Sequence, residues 1–109
     1  MQTFTQVNEV TPMAWKLIQV SNGHKSLENF TLVADDVFAF LHQLKSYFQE
    51  RLDARDKMGF EALSSVATEI WIDGAKLTAG WDSWSGLFIM AWDSDGDRIV
   101  SEIEGFINT

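Results

Sequence analysis

The carboxylates near the end of this chain recur at a spacing that could hold a metal ion. Asp93, Asp95 and Asp97 alternate, and Glu104 follows at a distance that resembles the ligand rhythm of a calcium-binding loop. Such a loop needs glycine at its sixth position, where this chain has Arg98, and the preceding residues have the pattern of a strand rather than a helix. The pattern therefore favours a turn with a helix cap at Asp97, and no metal or other cofactor is expected.

Other catalytic signals are weak. His24 and His42 are the only histidines, and nothing in the sequence brings either of them to a serine nucleophile or a paired carboxylate, so we expect both to be solvated. The chain has no cysteine, no glycine-rich phosphate loop and no nucleophile elbow. Two carboxylates brought together by the fold could still act as acid and base, but the sequence favours a protein that is not an enzyme.

The segment Trp81–Gly86 places two indoles among hydrogen-bonding groups. Such a loop could stack on a sugar or clamp a peptide. It could equally be an ordinary hairpin, with Trp81 in the core and Trp84 folded over the sheet edge. Trp84 is the side chain that we predict to be exposed for recognition.

Composition indicates one globular domain, residues 1–109, with 46% hydrophobic and 22% charged residues. The net charge of −8 argues against binding to nucleic acid or to anionic membranes. The acidic excess is concentrated in residues 61–109, where Lys76 and Arg98 are the only bases, and it would attract a basic partner. Without a leader or membrane-spanning pattern, we expect a cytoplasmic protein.

The first structural element has two readings. Met13–Val20 leads into Asn22–Gly23, a strong hairpin signal, and folding the chain there pairs Trp15 with Phe30. In the alternative, Pro12 begins a helix that ends at the glycine. We take the hairpin as the prediction.

A long helix is predicted next, from Asp36 to Lys57, with Gly59 as its stop. Acidic residues at its start and basic residues at its end would complement the helix dipole. The apolar residues that recur at helical spacing are Val37, Phe40, Leu41, Leu44, Phe48 and Leu52.

Three strands should follow within residues 66–92. A tight turn at Asp73–Gly74 puts Ile70 and Ile72 on the core face and Trp71 on the reverse face. The face taken by the third strand depends on the length of the next loop. A four-residue loop, Ser83–Gly86, sends Leu87, Ile89 and Ala91 to the reverse face and Phe88, Met90 and Trp92 to the core, whereas a shift of one residue exchanges the two sets.

With a last helix from Asp97 to Ile107, these elements predict an α+β fold of order β-β-α-β-β-β-α. The architecture is a two-layer sandwich, in which an antiparallel sheet of about five strands packs on two helices. The reverse face is apolar in either register and would remain open. A three-layer arrangement, with one helix on each face, is the alternative.

An open apolar face predicts a partner. We expect a protein-binding module that engages a basic protein, with anchors at Trp71, Trp84, Leu87 and Ile89 and charge from Asp82, Asp93, Asp95 and Glu102. In size, acidity and aromatic content the chain resembles small immunity or antitoxin proteins that block basic toxins, which implies an inhibitor. The alternatives are a homodimer joined through the open face, and a small-ligand or enzymatic domain with its site at the Trp81–Gly86 loop.

Overall fold

The computed structural model describes residues 15–62 and 65–107. The strands are β1 (Lys16–Gln19), β2 (Lys25–Asn29), β3 (Leu52–Ala62), β4 (Ser65–Ile72), β5 (Ala75–Asp82) and β6 (Gly86–Ala91). The helices are α1 (Asp36–Phe48), which runs into a single 3-10 turn (Gln49–Arg51), and α2 (Ser94–Ile107). Within this part of the chain, neither helix has the length and apolarity needed to cross a membrane.

The strands form one antiparallel sheet in the order β1-β2-β6-β5-β4-β3. Together with the two helices, this sheet confirms the predicted α+β fold, with one strand more than expected. Because β2 pairs with β6, the first hairpin lies beside the last strand in the sheet.

One face of the sheet and both helices share a single core. Side chains from β2, β4, β5 and β6 alternate into it, as the period of two along a strand requires. Helix α1 supplies Val37, Phe40, Leu44 and Phe48, and α2 supplies Ile99, Val100 and Ile103, all buried. The two helices therefore cover the same face, as the two-layer arrangement predicts.

The first element is a hairpin, as predicted, but its register differs. Leu17 pairs with Leu27, and residues 20–24 form a loop longer than the two-residue turn. Trp15 packs on Phe40, with ring centroids 5.3 Å apart, whereas Phe30 is 63% exposed, so the predicted pairing of Trp15 with Phe30 is wrong. Met13, the predicted start of the strand, lies outside the described residues.

The prediction of a helix up to Lys57 is also wrong. The chain leaves the helix at Gln49, where φ is 55° and ψ is −127°, and Leu52 begins the edge strand β3. Ala54 pairs with Ile70 and Met58 with Thr68, so β3 carries extra residues relative to β4. Such irregularities twist an edge strand and discourage pairing with another chain.

Helix α2 begins three residues earlier than predicted, because Asp93 caps it. The Gly96 backbone N–H donates to Asp93 Oδ1 at 2.7 Å. Asp97 accepts instead from His24 Nδ1 at 2.9 Å and from the Lys25 backbone N–H at 2.8 Å. The expectation of a solvated His24 is therefore wrong, since this residue ties the first hairpin to α2.

Arg51 makes a second tie between distant elements. Its guanidinium donates to Asp73 in the β4–β5 turn at 2.7 Å and to Glu102 on α2 at 3.0 Å. Tyr47 also donates to Glu102, at 3.2 Å. These bonds lower the pKa of the Asp73 and Glu102 carboxyls. The end of α1 is thereby held against the rest of the molecule.

Candidate binding surface

The turn between β5 and β6 decides which apolar residues face away from the helices. Asp82 pairs with Gly86 and Trp81 with Leu87, so the loop has three residues, one fewer than the predicted loop. Gly86 adopts a φ of 74°, and a Cβ there would overlap the backbone of Phe30. Glycine can therefore adopt this left-handed conformation close to the backbone that follows β2. The pairing of β6 with β5 is shifted by one residue from the predicted register.

This shift reverses the predicted faces of β6. Leu87 and Ile89 are 1% and 0% exposed and lie in the core beneath the helices. Their prediction as anchors on the reverse face is wrong. The assignment of Phe88, Met90 and Trp92 to the core, which the same loop length implied, is wrong as well. The other register considered from the sequence, in which the two sets exchange, is the observed one.

We call the side of the sheet opposite the helices the open face. Its central stripe consists of Phe88, Met90 and Trp92, which follow one another along β6 and just beyond it. Phe88 and Met90 are half-buried, and Trp92 is 44% exposed. Ile18 on β1 and Trp71 on β4 lie on the same face, two strands away on either side. Neither α1 nor α2 contributes to this face.

Trp92 is held in one orientation. Its Nε1–H donates to Thr78 Oγ1 at 2.8 Å, and Lys76 Nζ lies 5.0 Å from the ring centroid. Lys76 Nζ is itself 3.1 Å from Glu69 Oε2. A fixed aromatic side chain loses little conformational freedom on binding, and this makes Trp92 a good anchor.

The residues that flank the stripe on the neighbouring strands are small. Phe88 pairs with Gly80 of β5, where an added Cβ would overlap the backbone of Val66 on β4. On the other side, Met90 pairs with Ser26 of β2, which is 1% exposed. Small side chains on both neighbouring strands leave the stripe raised above its immediate surroundings.

Carboxylates lie near the Phe88 end of the stripe. Glu28 pairs with Phe88 across β2 and β6 and accepts a hydrogen bond from Ser26 Oγ at 3.2 Å. Burial raises the pKa of Glu28, and the nearby negative charge of Asp82 raises it further. Lys16 is the cross-strand neighbour of Glu28, but its Nζ lies over the Phe30 ring, 5.2 Å from the centroid. This end of the open face thus carries two carboxylates, Glu28 and Asp82, and one lysine.

Trp84 projects from the β5–β6 turn and is 90% exposed. The turn is ordered by Asp82, whose Oδ1 accepts from the backbone N–H groups of Trp84 at 2.9 Å and Ser85 at 2.6 Å. Trp81 packs against the core, and its Nε1–H donates to the Leu32 carbonyl at 3.0 Å. The loop is thus a hairpin turn with one indole inside and one outside.

The remaining predicted acids do not join this surface. Asp93 caps α2, Asp95 lies 2.7 Å from Arg98, and Glu102 binds Arg51. Asp95 and Glu102 belong to the helix layer, on the other side of the sheet from Trp71. Of the eight predicted contact residues, the structure places Trp71 and Asp82 on the open face and Trp84 at the turn tip that adjoins it.

Sequence reasoning assigned several residues of this surface to other roles or passed over them. The three on or just after β6 owe their face to the three-residue turn, which the sequence allowed as a one-residue shift but did not select, whereas the residue on β2 owes its face to the register of the first hairpin. They are Glu28, Phe88, Met90 and Trp92.

A separate groove lies between the two helices. It has a volume of about 350 Å³ and is mostly apolar, with Trp15, Leu32, Phe40 and Phe106 among its lining residues. Among the described residues, no three side chains of His, Asp or Glu come together in a way that could hold a metal ion.

Comparison with protein-family models, with curated proteins and with solved structures found no match to this chain. The surface is therefore interpreted from its own chemistry.

Proposed function

We propose that this chain is a non-catalytic module that binds a basic protein through the open face. The central stripe carries the proposal: three large apolar side chains lie in the middle of a sheet face that neither helix covers. Fully burying one such side chain from water is worth about 1.5–3 kcal/mol, and a partner that covers the stripe gains the part of this that the half-buried side chains have not yet realised.

Charge indicates the kind of partner. The open face presents Glu28, Glu69 and Asp82 against Lys16 and Lys76, within a chain of net charge −8. A negative field of this kind speeds encounter with a basic surface and disfavours an acidic one. An inhibitor of a basic enzyme, of the kind that the composition resembles, would be one such module.

Affinity capture tests the proposal when wild type is compared with two charge-matched variants. Met90→Glu places a carboxylate in the central stripe, whereas Phe38→Glu makes a similar change at a 58% exposed position on α1. We expect a basic protein to be captured by wild type and by Phe38→Glu, and to be lost with Met90→Glu. Activity assays of the captured protein then show whether binding inhibits it.

Two results would contradict the proposal. One is capture of the same proteins by all three chains. The other is sedimentation of the wild-type chain as a dimer that Met90→Glu dissociates, since the open face would then bind a second copy. The lysines and carboxylates that share this face make a two-fold pairing of opposite charges feasible, so sedimentation belongs in the test.

A further inference from the structure

Resting on the proposed function, we infer that the open face receives an amphipathic helix with basic borders, laid along β6. The shape of the apolar surface supports this occupant. The stripe is one strand wide and is bordered by polar or small residues on both neighbouring strands, Ser26 and Glu28 on β2 and Thr78 and Gly80 on β5. A docking sheet would require apolar side chains on adjacent strands as well.

The length of the stripe matches one face of a helix. Alternate residues of a strand are about 6.7 Å apart, so Phe88 and Trp92 lie roughly 13 Å apart along β6. In a helix, residues i, i+4 and i+8 span about 12 Å at 1.5 Å per residue. Three successive apolar residues of a helical stripe can therefore meet the three members of the central stripe.

The width also matches. Strands are about 4.8 Å apart, which places Ile18 and Trp71 roughly 10 Å from the axis of β6 on its two sides. A helix about 10 Å in diameter fits between these two side chains, above the small residues that flank the stripe. Ile18 and Trp71 then act as apolar walls.

The charges set an orientation. Two carboxylates, Glu28 and Asp82, lie toward the Phe88 end with one lysine, Lys16, beside them. At the Trp92 end, Lys76 is paired with Glu69, so the charges there offset each other and the negative excess lies at the Phe88 end. The amino terminus of a helix carries a partial positive charge and its carboxyl terminus a partial negative charge. The helix therefore runs parallel to β6, from Phe88 toward Trp92, with lysine or arginine along its borders.

Two synthetic peptides of identical leucine and lysine content test this inference. In one, leucine recurs with the helical period; in the other, leucine and lysine alternate as in a strand. We expect calorimetric titration of the full chain to show at least tenfold tighter binding of the helical-period peptide. Met90→Glu and Ile18→Glu should each weaken that binding about tenfold, and Phe38→Glu less than twofold.

The outcomes separate the inference from the proposed function. If the alternating peptide binds at least as tightly and its binding depends on Met90, the helix is wrong and the docking face stands. If Met90→Glu and Ile18→Glu, shown to be folded by circular dichroism, leave the binding of both peptides unchanged, the inference and the proposed function are both wrong.

Discussion

At the scale of single residues, the carboxylates of this chain divide by how the fold shifts their pKa. Asp73, Asp97 and Glu102 bind cationic or hydrogen-bonding groups of the same chain, and their pKa values are lowered. Glu28 lies on the open face, and its pKa is raised by burial. The first group stabilises the fold when ionised, whereas the ionised form of Glu28 is disfavoured by its partly buried site. A carboxylate that costs stability on the proposed binding face is a candidate for function.

Asp97→Asn should destabilise the protein by about 1–3 kcal/mol at pH 7, because hydrogen bonds to a charged group are lost. The folded-state pKa of Asp97 is lowered below 3.8, so its contribution is present above that pH and disappears as pH falls through the folded value. Urea unfolding should therefore show the difference from wild type shrinking below about pH 4. Asp95→Asn, on an exposed residue that forms a surface ion pair with Arg98, is the control and should cost less than about 0.5 kcal/mol. An equal effect of both variants would contradict this role for Asp97.

Glu28→Gln should change the stability in the opposite direction and raise the free energy of unfolding. Because burial raises the folded-state pKa of Glu28, its ionised form disfavours folding at pH values above that pKa. The neutral amide should raise the free energy of unfolding at pH 7 by about a few tenths of a kcal/mol, since the group remains partly solvated. The gain should vanish below about pH 4, where the carboxyl is protonated in both states. A loss of stability at pH 7 would show that the charge of Glu28 is compensated.

At the scale of elements, turn chemistry made the hairpins predictable. Asn22–Gly23 and Asp73–Gly74 locate two of them, and Gly23 and Gly74 adopt φ values of 87° and 83°. Strand β3 was missed because Leu52 extends the apolar spacing of α1 and also starts a strand pattern. Only the turn of the chain at Gln49 separates the two readings, and a non-glycine residue in that conformation is not signalled by the sequence.

The candidate surface was predictable only in part. That the reverse face is apolar follows from the sequence in either register of β6, and Trp71 stands on that face in both. Which residues form the stripe depends on whether the β5–β6 loop has three or four residues. The left-handed conformation of Gly86 and its contact with Phe30 decide this, and that contact joins residues far apart in the chain.

The close approach of β4 and β5 gives a prediction for the sheet itself. Gly80→Ala should destabilise the protein by about 1–3 kcal/mol, because the new Cβ overlaps the backbone of Val66 rather than a side chain that can move. Gly105→Ala is the matched control, since nothing lies within 4 Å of its added Cβ. In α2 that change should stabilise by roughly 0.5–1 kcal/mol. Chemical denaturation of both variants checks the pair, and similar effects of the two would contradict the packing at Gly80.

At the scale of the whole molecule, both helices pack on one side of a six-stranded sheet. Leu87, Ile89 and Ala91 complete the core on that side, while Phe88, Met90 and Trp92 are left on the other. Adjacent residues of one strand thus have opposite surroundings. The proposed function depends on this asymmetry.

Thiol reactivity at two neighbouring positions of β6 directly measures the difference in burial between the two faces of the sheet. The chain has no cysteine of its own, so a single introduced thiol gives the whole signal. Single variants Ile89→Cys and Met90→Cys are treated with a thiol-reactive chromophore under native conditions. We predict that the Met90→Cys thiol reacts at least ~100-fold faster, since a buried thiol reacts only when the structure opens. Comparable protection at both positions, or faster reaction of Ile89→Cys, would contradict an open face formed by the alternate residues of β6.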